Sequence, residues 1–250
     1  MRLFAAHRQI AGSREVRIEL PDGATIADSW TALVALHPGL DRGTTSVRFA
    51  LNGKYADRTT VLADDDEVAC IPPVAGGAGH EEVPPSEALL SITSDPIDQA
   101  LLGRLAQDVA TPADGAVVSF VGRTRESAGT PAPGEEAEAA RHAGQLVESL
   151  DYEAFEEMAL AVFGEIAGEI RRRFGVDRLA IVHRTGSVPV GEPSVAIVVA
   201  AAHRDAAFRA CWYAIDELKA RAPIWKSERF ADGSVWLGAP ARHGPTETRD

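Results

Sequence analysis

The segment Ile71-Pro72-Pro73-Val74-Ala75-Gly76-Gly77 divides this 250-residue chain, because a strand-rich stretch stops there in two glycines. Only glycine lets a backbone thread a narrow channel without side-chain clash, so a Gly-Gly end suits delivery of a carboxyl into another active site. That chemistry needs a free terminus, yet the chain runs on through Ala78-Gly79-His80. Either the pair is a linker turn or the chain is cut after Gly77.

Patterning on the two sides of this point predicts two modules. Met1 to Ala6 and Glu15 to Leu20 read as strands around a turn at Gly12-Ser13. Thr25 caps a helix through His37, which Pro38-Gly39 ends. Val47 to Leu51 and Glu67 to Ile71 supply further strands, with Asn52-Gly53 as a turn. From Ala78 to Pro96 a Gly, Pro, Glu and Ser mixture reads as a linker. The second module opens with a helix over Pro96 to Ala106 and a strand over Ala116 to Val121. It continues with a strand from Leu146 to Tyr152, a long amphipathic helix from Ala154 to Phe174, and strands at Leu179 to His183 and Val195 to Ala201. Ala206 to Ala220 is a helix whose apolar stripe reads Phe208, Cys211, Trp212, Ile215 and Leu218, and Trp225 and Trp236 mark a closing strand pair. Residues 127 to 144 lack apolar periodicity and read as a loop.

Composition narrows the function. A net charge of -12 excludes a broad basic face, so neither nucleic acid nor a membrane surface is an expected partner. No apolar run approaches the ~18 to 20 residues that cross a bilayer, and Arg2, His7 and Arg8 interrupt the start, which places the chain in the cytoplasm by expectation. Cys70 and Cys211 are too few for a disulfide framework or a thiolate metal site, and both read as core. No glycine loop of the nucleotide-binding kind is present, so the chain is not expected to hydrolyse ATP itself; no cofactor and no metal is expected either. Only Lys54, Lys219 and Lys226 are lysine, two of them within eight residues. An amine can lose its proton or be acylated where a guanidinium cannot. The segment His203 to Arg229 is locally +2 in this acidic chain.

These residues carry a resemblance. Met1 to Gly77, with Asp66-Glu67-Val68-Ala69 leading into the Gly-Gly end, resembles the small subunit of molybdopterin synthase, a ubiquitin-like sulfur carrier. From Ala88 to Trp236 the chain resembles that enzyme's large subunit. The matching pieces are Gly115 to Arg125, Tyr152-Glu153-Ala154-Phe155, His183-Arg184-Thr185-Gly186, His203-Arg204 and Leu218 to Glu228.

The resemblance implies an α+β fold: a β-grasp, ubiquitin-like domain over 1–77, a linker over 78–95, an α/β hammerhead domain over 96–240 and a tail over 241–250. It implies a homodimer through the C-terminal domain. It implies that a thiocarboxylate on Gly77, presented after Gly76, gives its sulfur to cyclic pyranopterin monophosphate on the way to the molybdopterin dithiolene. Lys219 would meet the carrier tail and the pterin, with Arg204 and Arg221 acting on it by charge repulsion. Lys226 is the second proton-transfer candidate, and Arg125, His203 and Arg204 would contact phosphate or pterin. His183 and Arg184 read as structural.

An adenylating enzyme and a sulfurtransferase would load Gly77, and a processing protease would free it. The alternatives are an uncleaved fusion whose Gly-Gly segment plugs the pocket as an inhibitory or scaffolding module, and a sulfur carrier for another pathway. The chain departs from the family pattern at three places. Pro240 stands where an arginine is usual, so either Arg242 replaces it or that contact is absent; the loop after Arg125 is long; and Asp65-Asp66 replaces a Gly-Asp turn, which an Asp in the left-handed region tolerates.

Overall fold

A computed structural model describes residues 1–40, 47–72, 88–128, 140, 142 and 144–236. The chain divides into two compact units, Met1–Val74 and Ala75–Asp250.

In the first unit the elements run β1 (Arg2–Leu3), α1 (Ala5–Ala11), α2 (Ile26–Leu36), β2 (Arg48–Leu51), β3 (Lys54–Ala56) and β4 (Val68–Ile71). The sheet order is β1-β4-β2-β3, with β1 parallel to β4 and the other pairs antiparallel. Leu3, Ile26, Trp30, Leu33, Phe49, Val68 and Cys70 close the core between α2 and the sheet. The expected helix forms as read. Thr25 accepts from the Asp28 amide while the Asp28 carboxylate takes the Thr25 amide, a reciprocal cap that satisfies two orphan donors.

Asn52 at φ 49° and Gly53 at φ 80° make the tight β2–β3 turn. Asp65 occupies the left-handed region at φ 62°, while Asp66 accepts from the Ala63 amide and from Asn52 Nδ2, both at 2.8 Å. Two strand expectations fail here. The first strand stops at Leu3, because Ala5–Ala11 is rich in helix formers and ends on Gly12 in the left-handed conformation. With so short a partner, Glu15 to Leu20 shrinks to a single bridge, Arg2 to Glu15.

The second unit runs β5 (Leu89–Thr93), α3 (Gln99–Val109), β6 (Ala116–Arg123), β7 (Val147–Ala154), α4 (Glu156–Phe174), β8 (Arg178–Arg184), β9 (Gly186–Pro189), β10 (Pro193–Ala201), α5 (Arg204–Arg221), β11 (Ile224–Phe230) and β12 (Val235–Trp236). One sheet is ordered β5-β8-β10-β6, with β5 parallel to β8. The other is antiparallel, ordered β12-β11-β7-β9. Helices α4 and α5 cover one face of the first sheet through Phe163, Ile166, Ile170, Ala207, Ala214 and Leu218. Helix α3 covers the other through Leu105 and Val109. Strand β10 is buried almost throughout, as a strand with both faces covered must be.

Besides the unexpected strand β9, the structure departs from the expected elements at three places. Part of the expected linker is strand β5, whose Leu-Leu-Ser-Ile-Thr run is recruited by parallel pairing with β8. Helix α3 starts three residues late, where Asp98 accepts from the Leu101 amide at 2.7 Å. On α5 the stripe facing the sheet is Ala207, Ala210, Cys211, Ala214, Ile215 and Leu218, so Phe208 and Trp212, one turn apart, stay 62% and 65% exposed. Both cysteines are buried, which pushes Cys70 up to about 12 and Cys211 to about 11.

Candidate functional site

Helix α5 dictates how the candidate residues are arranged. His203 is its N-cap and Arg204 its first residue, whereas Lys219 lies in the last turn, and all three are exposed. Sixteen positions at 1.5 Å each separate His203 from Lys219 by about 24 Å along the axis. One copy of the helix therefore cannot bring both ends to one small molecule. Phe208 and Trp212 occupy its exposed surface between them.

Lys226 follows on β11, across the Ala222-Pro223 turn. Its Nζ lies 3.1 Å from Oε1 of Glu228, a carboxylate only 2% exposed. A buried carboxylate needs a cation, and the lysine two residues away on the same strand face supplies it.

Most of the positive charge counted in this segment is already spent. Arg221 contacts Glu165, Glu169 and Glu217; Arg229 pairs with Asp151 at 2.6 Å; Arg209 faces Asp205 at 3.5 Å. Arg221 therefore does not act as a bare cation beside Lys219, contrary to the sequence expectation. Among the described residues, Arg204 and Lys219 are the two cations of that segment without an ion pair.

Arg125 stands exposed two residues past β6, on a firmly held stem. Arg123 Nε donates to Gly191 O at 2.6 Å, the Thr124 amide to Glu192 O at 3.0 Å, and the Gly191 amide to Thr124 O at 2.9 Å. Arg184 in turn grips the Glu192 carboxylate at 2.6 Å. Gly76, Gly77, Pro240 and Arg242 lie outside the described residues, as does most of the loop between 127 and 144.

Tyr152 lies opposite Lys226 on β7, with the His183 ring against it. The two rings meet edge-on at 5.1 Å, and His183 Nδ1 sits 2.9 Å from the Arg184 carbonyl, which fits an Nδ1–H donor. Burial lowers His183 to about 4. Between the unfolded value near 6.5 and that figure, the unfolded chain binds the extra proton. Stability is thus unaffected by this group above pH 6.5 and falls by about 3 kcal/mol as pH drops to 4. Denaturant midpoints from pH 7 to 4 should show a steeper loss in wild type than in His183→Gln. Parallel curves would contradict the assignment.

Sequence reasoning missed Glu228, which it counted only as a charge, and Tyr152, which it quoted in a motif without a role. Their places depend on the β7–β11 register, although the Tyr152-Glu153-Ala154-Phe155 motif was a visible signal.

A family described as MoaE protein matches residues 92–221, and the ThiS family matches residues 1–77. The molybdopterin synthase catalytic subunit of Oryza sativa subsp. indica is 38% identical over 164 residues, covering 66% of this chain and 75% of the relative. That of Nostoc sp. is 40% identical over 160 residues, covering 63% and 87%. The crystal structure of molybdopterin synthase from Staphylococcus aureus aligns with a TM-score of 0.50 at 33% identity, covering 59% of this chain and 95% of that one.

Proposed function

The chain belongs to the MoaE protein family through residues 92–221 and carries a ThiS-family unit at residues 1–77 ahead of it, and from that premise we propose that it makes molybdopterin with a sulfur carrier encoded in its own sequence. The relatives' name, molybdopterin synthase catalytic subunit, places the reaction in molybdenum cofactor biosynthesis. In this reading a thiocarboxylate at Gly77 passes its sulfur to cyclic pyranopterin monophosphate and leaves as a carboxylate. A second loaded carrier completes the dithiolene.

Lys219, exposed and without an ion pair among the described residues, receives the anionic carrier end. Lys226, held by Glu228, is the proton donor. Arg125, His203 and Arg204 bind phosphate or pterin. The length of α5 carries the further step: His203 and Arg204 join a site containing Lys219 only when a second copy provides them, so the working unit is a homodimer. The exposed Phe208 and Trp212, between the two helix ends, are the surface offered to that copy.

The observation carrying the proposal is the presence in one chain of a ThiS unit ending in Gly-Gly and a MoaE unit bearing Lys219 and Lys226. A peptide bond to Ala78 leaves no carboxyl at Gly77 to load with sulfur, so the reading requires cleavage there. The domains then follow as 1–77 for the carrier and 96–240 for the enzyme. The intact mass of the protein from its native cells tests this. Two fragments split after Gly77, the smaller heavier by about 16 Da where sulfur replaces oxygen, are expected. A single 26.5 kDa species in cells that still make molybdopterin would favour the plugged-pocket fusion instead.

A further inference from the structure

Strands β7 and β11 lie antiparallel with Tyr152 directly opposite Lys226. Directly opposed residues leave the same face of a sheet, so the phenol and the amine stand side by side, with Glu228 two residues further along that face. The phenol continues past this pair to the other sheet. Tyr152 Oη donates to Ser194 Oγ at 3.3 Å, and Ser194 Oγ donates to Gly122 O at 3.4 Å. Gly122 belongs to β6, three residues before Arg125. Beyond it the stem is tied to Gly191 and Glu192, so Gly122 leads directly into the held segment that carries Arg125.

We propose that Tyr152 is a positioning residue that locks the strand carrying Lys226 to the stem carrying Arg125, fixing the spacing between proton donor and anion-binding guanidinium. This rests on the roles given above to Lys226 and Arg125. Three neighbours define its setting: the His183 ring against its edge, the Ser194 hydroxyl at its tip and the Lys226–Glu228 pair beside it. Burial, with the Glu228 charge adding to it, raises the phenol above its ordinary value, so it remains a neutral donor. Phenylalanine would keep the ring packing and remove only the donor.

Calorimetric titration of the full chain with cyclic pyranopterin monophosphate tests this. Tyr152→Phe and Ser194→Ala should each weaken binding about three- to tenfold, the range of one hydrogen bond. The double variant should be no weaker than either, because both break one chain of bonds. Melting temperatures should stay within about 2 °C of wild type, below the shift expected for 1 kcal/mol. Unchanged affinity in Tyr152→Phe, losses that multiply in the double variant, or a loss of affinity that only tracks a loss of stability would each overturn the inference. Arg125→Ala runs beside them. If it weakens binding while Tyr152→Phe does not, the coupling alone is wrong; if it leaves affinity unchanged, the reading of Arg125 fails first.

Discussion

Replacing Lys219 by alanine is expected to slow single-turnover sulfur transfer from the loaded carrier about 10²- to 10⁴-fold, the range of a lost acid–base or charge-binding group. The side chain is exposed and makes no ion pair among the described residues, so its removal should leave stability within about 0.5 kcal/mol. Lys219→Arg should recover affinity for the carrier end but little of the rate, because a guanidinium keeps its proton.

Helix α5 adds a sharper outcome. With His203 and Lys219 about 24 Å apart on one helix, a site that uses both takes them from two copies. Mixing Lys219→Ala chains with His203→Ala chains, each inactive alone, should therefore restore activity. Half the dimers are then mixed and one of their two sites is intact, so recovery should approach about a quarter of wild type. No recovery in the mixture would place both residues in separate roles and end the composite-site reading.

The legible parts of the sequence were those where a local rule and the tertiary environment agree. Thr25 and Asp28 announce the start of α2, and Asn52-Gly53 announces a hairpin turn, because capping and left-handed turns are settled within a few residues. The buried β10 was legible as an apolar run. Strands β5, β3 and β9 were not, since each is short and exists through its partner across a sheet. The apolar stripe of α5 misled because alanines face the sheet while Phe208 and Trp212 stay outside, and periodicity weighted by size favours the larger residues.

At the candidate site the residue types were legible and their pairings were not. Six basic residues between His203 and Arg229 looked like a positive patch, yet Arg209, Arg221, Lys226 and Arg229 are each held by carboxylates from α4, α5, β7 or β11. Which cations remain for a ligand depends on contacts up to 78 positions apart, between Asp151 and Arg229.

The largest loss of stability should come from Arg221→Ala, at about 3–5 kcal/mol. Arg221 is 8% exposed, with Nη1 on both Glu169 oxygens at 2.9 and 2.8 Å and on Glu217 at 3.2 Å, and Nη2 on Glu165 at 2.7 Å. Tyr213 also donates to Glu169 at 2.6 Å, so five hydrogen bonds close on one knot between α4 and α5. Alanine would leave three carboxylates converging on a space with no cation, a loss greater than that of the bonds themselves.

Arg221→Lys should fall between, because one ammonium cannot present the fork that reaches three carboxylates. The deficit of Arg221→Ala should shrink in acid, where protonation removes the repulsion, which separates it from a simple loss of packing. Denaturant unfolding at pH 7 and pH 4.5 would show this, and an equal deficit at both would mean that the guanidinium serves mainly as filler. Because the knot fixes the last turn of α5, where Lys219 sits, the variant should also lose sulfur transfer under conditions where it is still folded.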